Sequence, residues 1–198
     1  MNEAQLIRTQ LSLERTHAST VAAACAAAAA RRAHDVSGDP TADFVQACVE
    51  YLACVLAWFE ERDQRAGDLA QRLRLGEHSG RRALEEALAR SGRSRETLER
   101  LERAVEAGRA SRAGPEAPGL WQEFARYFAD LWRTRRDAID TVLAARLRAA
   151  DWRVVAGIDA DAILEERRRY ARVRATLPQG VSLAEAAAVA EPSPPAAR

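Results

Sequence analysis

Glu14 and His17 are the residues of this chain whose types and spacing most directly invite chemistry. Three positions apart on a helix they share one face, and Glu-x-x-His is the spacing with which helical bundles hold paired metal ions. A complete site of that kind needs a second Glu-x-x-His and two further glutamates from other helices. The sequence offers only His17, His34 and His78, and no second pair at that spacing. His17 equally fits a plainer role as a core histidine among the leucines and alanines of "LERTHAST", and the shortage of imidazoles favours that role. Oxygen ligands for a hard cation are available in Glu60, Glu61 and Asp63, and again in Asp130, Asp137 and Asp140. The metal set the sequence puts forward is therefore Glu14, His17, Glu61 and Asp137. These acids alternate with Arg62, Arg65, Arg133, Arg135 and Arg136, which is also the pattern of ordinary ion pairs at a helix surface or interface.

Other chemistries find less support. There is no G-x-S-x-G elbow, no phosphate-binding or dinucleotide-binding glycine loop, and no cysteine beside a histidine. Cys25, Cys48 and Cys54 lie in apolar helix-like segments without C-x-x-C spacing, and read as small buried hydrophobes in a reducing compartment. All 30 basic residues are arginine, and the net charge is only +1. Together with the many alanines, this composition is that of a GC-rich bacterial genome. The arginines at 133–136 and 167–174 are offset by Asp130, Asp137, Glu165 and Glu166, so no positive stripe for nucleic acid emerges. The start, MNEAQLIRTQ, is polar, and the longest apolar stretch, Phe44 to Phe59, falls short of the ~20 residues of a membrane span. The expectation is a cytoplasmic protein without membrane or nucleic-acid partners.

The elements that would position Glu14 and His17 are helices. The first is expected over residues 2–32, with Leu6, Leu13, His17, Val21, Ala24 and Ala28 on one face. Asp39-Pro40 is a start signal for a second over 40–75, apolar almost all round in "FVQACVEYLACVLAWF" and polar thereafter. A turn at 76–80 precedes a third over 81–107, with a break at Ser91-Gly92 and a stripe of Leu84, Leu88, Leu98, Leu101 and Val105. "GRASRAGPEAPG", 108–119, reads as a loop, and a fourth helix over 120–148 carries most of the aromatic residues. A short helical turn then ends near Gly157, Asp159 caps a fifth helix, and Ser182 with Glu185 forms a capping-box pattern. The fold class is all-α: an antiparallel four-helix bundle over 1–148, a C-terminal helical cap over 149–190 that packs Trp152, Val155, Ile158 and Ile163 on one end, and a disordered tail at 191–198.

The order of helices, with "YLACVLAWFEERDQRAGDL" in the second and "FARYFADLWRTRRDAIDTVL" in the fourth, resembles a bacterial hemerythrin-like bundle over residues 3–148. That resemblance implies four antiparallel helices whose histidines and carboxylates hold two irons, and oxygen binding or iron and redox sensing as the activity. His17 corresponds to a ligand on the first helix, and Glu61 or Asp63 to a carboxylate on the second. The family's His-x-x-x-Glu, His-x-x-x-His and His-x-x-x-x-Asp patterns are missing, since helices two and four contain no histidine. The resemblance thus implies a bundle whose metal site has been lost or rebuilt. The function expected is non-catalytic binding or sensing without a required cofactor, through a protein partner or self-association. The alternatives are an iron-holding oxygen or redox sensor, and a helical module that takes a small ligand between the alanines of helix one and the aromatics of helix four.

Overall fold

Alanine, arginine, leucine and glutamate are the commonest residues of the chain, and all are strong helix formers. The computed structural model describes residues 3–32, 41–72, 78–111, 117–134, 148–157 and 160–190. Among them there are seven helices and no strand: α1 (Glu3–Arg32), α2 (Thr41–Arg72), α3 (His78–Ser111), α4 (Ala117–Thr134), α5 (Ala149–Ala156), α6 (Ala160–Ala175) and α7 (Leu183–Ala190). None of the described helices is long and apolar enough to cross a membrane. The expected tail at 191–198 lies outside the described residues.

Each long helix buries positions that alternate between three and four residues apart. In α1 these are Leu11, Glu14, Ala18, Val21, Cys25 and Ala28; in α2, Cys48, Leu52, Val55, Phe59, Arg62, Ala66 and Leu69. α3 buries Ala87, Ser91, Ser94, Leu98 and Leu101, and α4 buries Trp121, Phe124, Phe128 and Leu131. This is the period with which side chains of one helix seat in the grooves of a neighbour at a shallow crossing angle. α1 packs on α2 and α4, and α3 packs on the same two, so each of the four has two of the others as neighbours. A single apolar cluster runs through all four, with Val173 of α6 and Ala186 of α7 at its edge. The alanine run of α1 and the aromatic residues of α4 meet in that cluster. Phe128 and Phe59 meet Trp132 edge-on, with ring centroids 4.7 and 4.5 Å away.

Several sequence expectations need correction. Leu6 and Leu13 are exposed at 51% and 42%, because the buried stripe of α1 passes instead through Leu11 and Glu14. α3 continues through Ser91-Gly92: Ser91 is buried on the helix's inner face, where a small side chain lets a neighbour approach, and Gly92 points outward. Leu88 is accordingly exposed. The segment read as a loop is partly helical, since α3 extends to Ser111 and α4 starts at Ala117. Pro118 falls in the first turn of α4, where its missing N–H breaks no helical bond. Residues 78–80 belong to α3 and not to the preceding turn. Of the fourth helix expected over 120–148, Ala117–Thr134 is described and 135–147 lie outside the described residues, while Arg148, with an extended backbone (ψ 167°), precedes α5.

The C-terminal helices lie on α1 and α2. α5 seats Trp152 and Ala156 against Leu11 and Ile7 of α1, and Val155 against Ala66 and Leu69 of α2. Arg8 covers the Trp152 ring at 5.4 Å. α5 ends at Gly157, which adopts the left-handed conformation (φ 52°) and returns its N–H to the Arg153 carbonyl at 3.2 Å. α6 packs on α2, and α7 on α1, with the Ser182 hydroxyl accepting the Glu185 N–H at 3.3 Å. Ile158 and Asp159 lie outside the described residues, and Ile163 is half-buried.

Candidate functional site

Glu14 and His17 leave α1 toward different partners. Glu14 is 2% exposed, and its Oε2 receives the Arg62 Nη1 of α2 at 2.6 Å, with Arg62 itself 4% exposed. The other Glu14 oxygen accepts from Gln10 at 3.2 Å. Arg62 uses its Nε to reach the Ala156 carbonyl, the last of α5, at 2.9 Å. One guanidinium therefore neutralises a buried carboxylate and satisfies an orphan carbonyl at a helix C-terminus, where positive charge is favourable. Arg62 also lies over the Phe59 ring at 5.6 Å.

His17 turns to α6. Its Nδ1 is 2.8 Å from Oε1 of Glu166, a carboxylate only 1% exposed, and the same oxygen accepts the Tyr51 hydroxyl of α2 at 2.9 Å. The imidazole stacks on Tyr170 with centroids 3.9 Å apart and planes 9° from parallel. Burial, reinforced by Glu166 beside the hydroxyl, pushes the Tyr51 phenol far above its ordinary range, so Tyr51 remains a donor. Burial likewise raises the Tyr170 phenol, with Arg174 opposing. Tyr51 and His17 thus share one carboxylate oxygen where α1, α2 and α6 meet, with Tyr170 stacked on the imidazole. Buried polar groups are affordable when each finds a partner, and these do.

The remaining residues of the proposed metal set are Glu61 and Asp137. Glu61 is exposed and faces Arg65 of its own helix at 3.6 Å. Asp137, together with Asp140, His34, Arg135 and Arg136, lies outside the described residues. Glu60 pairs with Arg95 of α3, and Asp130 with Arg133 one turn on. Asp63 is buried. Among the described residues, no three histidine, cysteine or acidic side chains form a group able to hold a metal ion. The arginines of 167–174 are engaged in part: Arg168 and Arg169 bind Glu165, and Arg172 binds Glu50 of α2. Arg168 and then Arg169, hydrogen-bonded to Glu165, hold its carboxyl below the usual range.

Arg62, Tyr51, Glu166 and Tyr170 are the members of this centre that sequence reasoning passed over. A signal for them exists: Arg62 interrupts the apolar series Phe59–Ala66 at the inward position, and Glu166 does the same in Ile163–Tyr170–Val173. A charge at an inward position on each of three helices points to mutual neutralisation in the interior. Comparison of the chain with protein-family models, with curated proteins and with solved structures finds no match.

Proposed function

We propose that this chain is an antiparallel four-helix bundle of hemerythrin-like type, capped by α5–α7, that acts non-catalytically in binding or sensing, with an internal arginine in place of a metal. Two pairs of contacts support the antiparallel arrangement. Glu14 meets Arg62 while Cys25 meets Cys48, so residue numbers fall along α2 as they rise along α1. Arg90 reaches the Asp130 carbonyl while Arg100 faces Glu123, giving the same relation between α3 and α4.

The observation that carries the functional reading is the Arg62 guanidinium 2.6 Å from Glu14. A cation bound by Glu14 would have to displace a fixed positive charge that is itself buried and tied to Ala156. His17, with its Nδ1 committed to Glu166 and its ring stacked on Tyr170, holds α6 on the bundle. On this reading the buried polar residues serve docking of the C-terminal helices, and function resides in what the assembled surface binds.

The test is metal content by mass spectrometry, with an absorption spectrum, on protein purified anaerobically from iron-supplemented cells. Folded protein with far less than one iron per chain, and a melting temperature unchanged by chelator, is the expected result. Near-stoichiometric iron that disappears in His17→Ala would overturn the reading and establish the iron-holding alternative.

A further inference from the structure

The docking of α6 uses only one of the two nitrogens of His17. Nδ1 lies 2.8 Å from Oε1 of Glu166, and a carboxylate accepts hydrogen bonds, so Nδ1 carries the ring proton and the lone pair of the neutral imidazole is on Nε2. That second nitrogen has no partner among the described residues and is not enclosed, and the side chain keeps 20% of its surface open. Tyr170 stacks on a face of the ring, with planes 9° from parallel, and so fixes its plane without covering the edge on which the Nε2 lone pair lies. A histidine held in one tautomer and one orientation by a carboxylate is the more basic at its distal nitrogen. Arg167 and Arg174 complete the setting: both are exposed, and neither has an ion-pair partner among the described residues. Seven residues apart, they share one edge of α6. Around that helix come first Arg172 and Arg169, bound to Glu50 of α2, then Glu166, then Tyr170 against His17 of α1, and next Arg174 and Arg167.

We propose that His17 is a phosphoryl-accepting residue, a modification site whose Nε2 takes a phosphoryl group from an activated donor of the acyl-phosphate or phosphoramidate class. Nε2 attacks phosphorus with its lone pair and the N–P bond forms. The bond from phosphorus to the leaving group breaks, and its electron pair departs with the carboxylate or the ammonia. Nδ1 keeps its proton, the ring takes up a positive charge, and the Glu166 carboxylate 2.8 Å away neutralises it. Arg167 and Arg174 supply, on the neighbouring edge of α6, the planar donors that suit phosphoryl oxygens. The product places a dianion beside two arginines at the α1–α6 junction, the kind of local charge change by which a modification alters what a surface binds.

The inference goes beyond the binding-or-sensing reading and shares with it only the His17–Glu166 contact. Iron at His17 would show in the metal content of untreated protein, separately from any failure of phosphoryl transfer. The experiment treats the full chain with potassium phosphoramidate in native buffer, keeps the digest alkaline to preserve N–P bonds, and follows His17, His34 and His78 by peptide mass spectrometry and phosphorus NMR. The expected result is one phosphoryl group on Nε2 of His17, formed at least about tenfold faster than on either other histidine, which is the scale of what an orienting partner contributes to a histidine. The double variant Arg167→Ala/Arg174→Ala changes only exposed side chains, and should slow the reaction at His17 severalfold while leaving His34 and His78 as they were. The proposal is overturned if His17 stays unmodified, if His34 or His78 reacts as fast, if the phosphoryl group sits on Nδ1, or if the arginine variant reacts at the parent's rate. The three histidines are compared within the natural chain, so the result does not depend on whether a His17 or Glu166 variant folds.

Discussion

Replacing Arg62 with methionine isolates the interaction on which the interior of the molecule most depends. Methionine keeps an unbranched stem beside Phe59, but removes the guanidinium 2.6 Å from Glu14. The Glu14 carboxylate, 2% exposed, is then left without its countercharge, and the Ala156 carbonyl loses its donor. Removing one partner of a buried ion pair costs about 3–5 kcal/mol, because the other charge stays desolvated. For a chain of this size that corresponds to a fall of roughly 6–20 °C in melting temperature. The double variant Glu14→Leu/Arg62→Met removes both charges and should be more stable than either single variant, since an apolar pair of similar volume carries no desolvation penalty. Urea titration of the parent, both single variants and the double variant is the assay. If Arg62→Met lies within about 1 kcal/mol of the parent, or the double variant is no more stable than the singles, the pair is not the buried, mutually neutralising unit described here.

Two other perturbations address neighbouring features. Gly157→Ala should destabilise the protein by about 1–2 kcal/mol in chemical denaturation, since φ is 52° and a Cβ there would come within 2.2 Å of the Arg65 guanidinium; a neutral or stabilising effect would mean that α5 ends differently. Tyr51→Phe should cost about 1–3 kcal/mol at neutral pH by taking a donor from buried Glu166. Its alkaline behaviour is more diagnostic. The folded protein retains the Tyr51 proton beyond the range near 10 in which the unfolded chain releases it, so the contribution is full below that range and is lost as pH rises above it. The loss is about 1.4 kcal/mol per pH unit for one group, and Tyr51→Phe should remove that much from the slope of stability between about pH 10 and 11.5. Cys48 adds a loss of the same sign, beginning near its ordinary value of 9.0, that persists in the variant. Equal slopes in parent and variant would refute the assignment.

Much of the helical architecture can be read in the sequence because its signals are local. The Gly157 stop, the Ser182 start and the long apolar run of α2 each act over a few residues, and each is realised. The register of α1 is less accessible. Counting Leu6 and Leu13 as core is sound for a residue in isolation, yet the inward face passes through Glu14, where Arg62, distant in sequence, meets it. The same holds for His17. Its spacing from Glu14 announces a shared site, whereas small differences in direction along α1 send one side chain to α2 and the other to α6. Glu166 was legible as one of the acids that offset the arginines of 167–174, but its role depends on where α6 docks. The break expected at Ser91-Gly92 follows from propensity, and tertiary packing of Ser91 and Ser94 overrides it.

α6 contributes only Glu166 and Val173 as buried side chains, and is tied to α2 by Arg169 on the Glu50 carbonyl, Arg172 on the Glu50 carboxylate, and the Tyr51–Glu166 bond. A helix fastened in this way can lift as a unit while the cluster beneath stays closed, giving its amides an exchange route that lies below global unfolding in free energy. Because the fastenings are charges and hydrogen bonds, lifting exposes little apolar surface and so carries a small heat-capacity change. Ionic strength, more than temperature, should therefore set how often the outer face of α2 is uncovered.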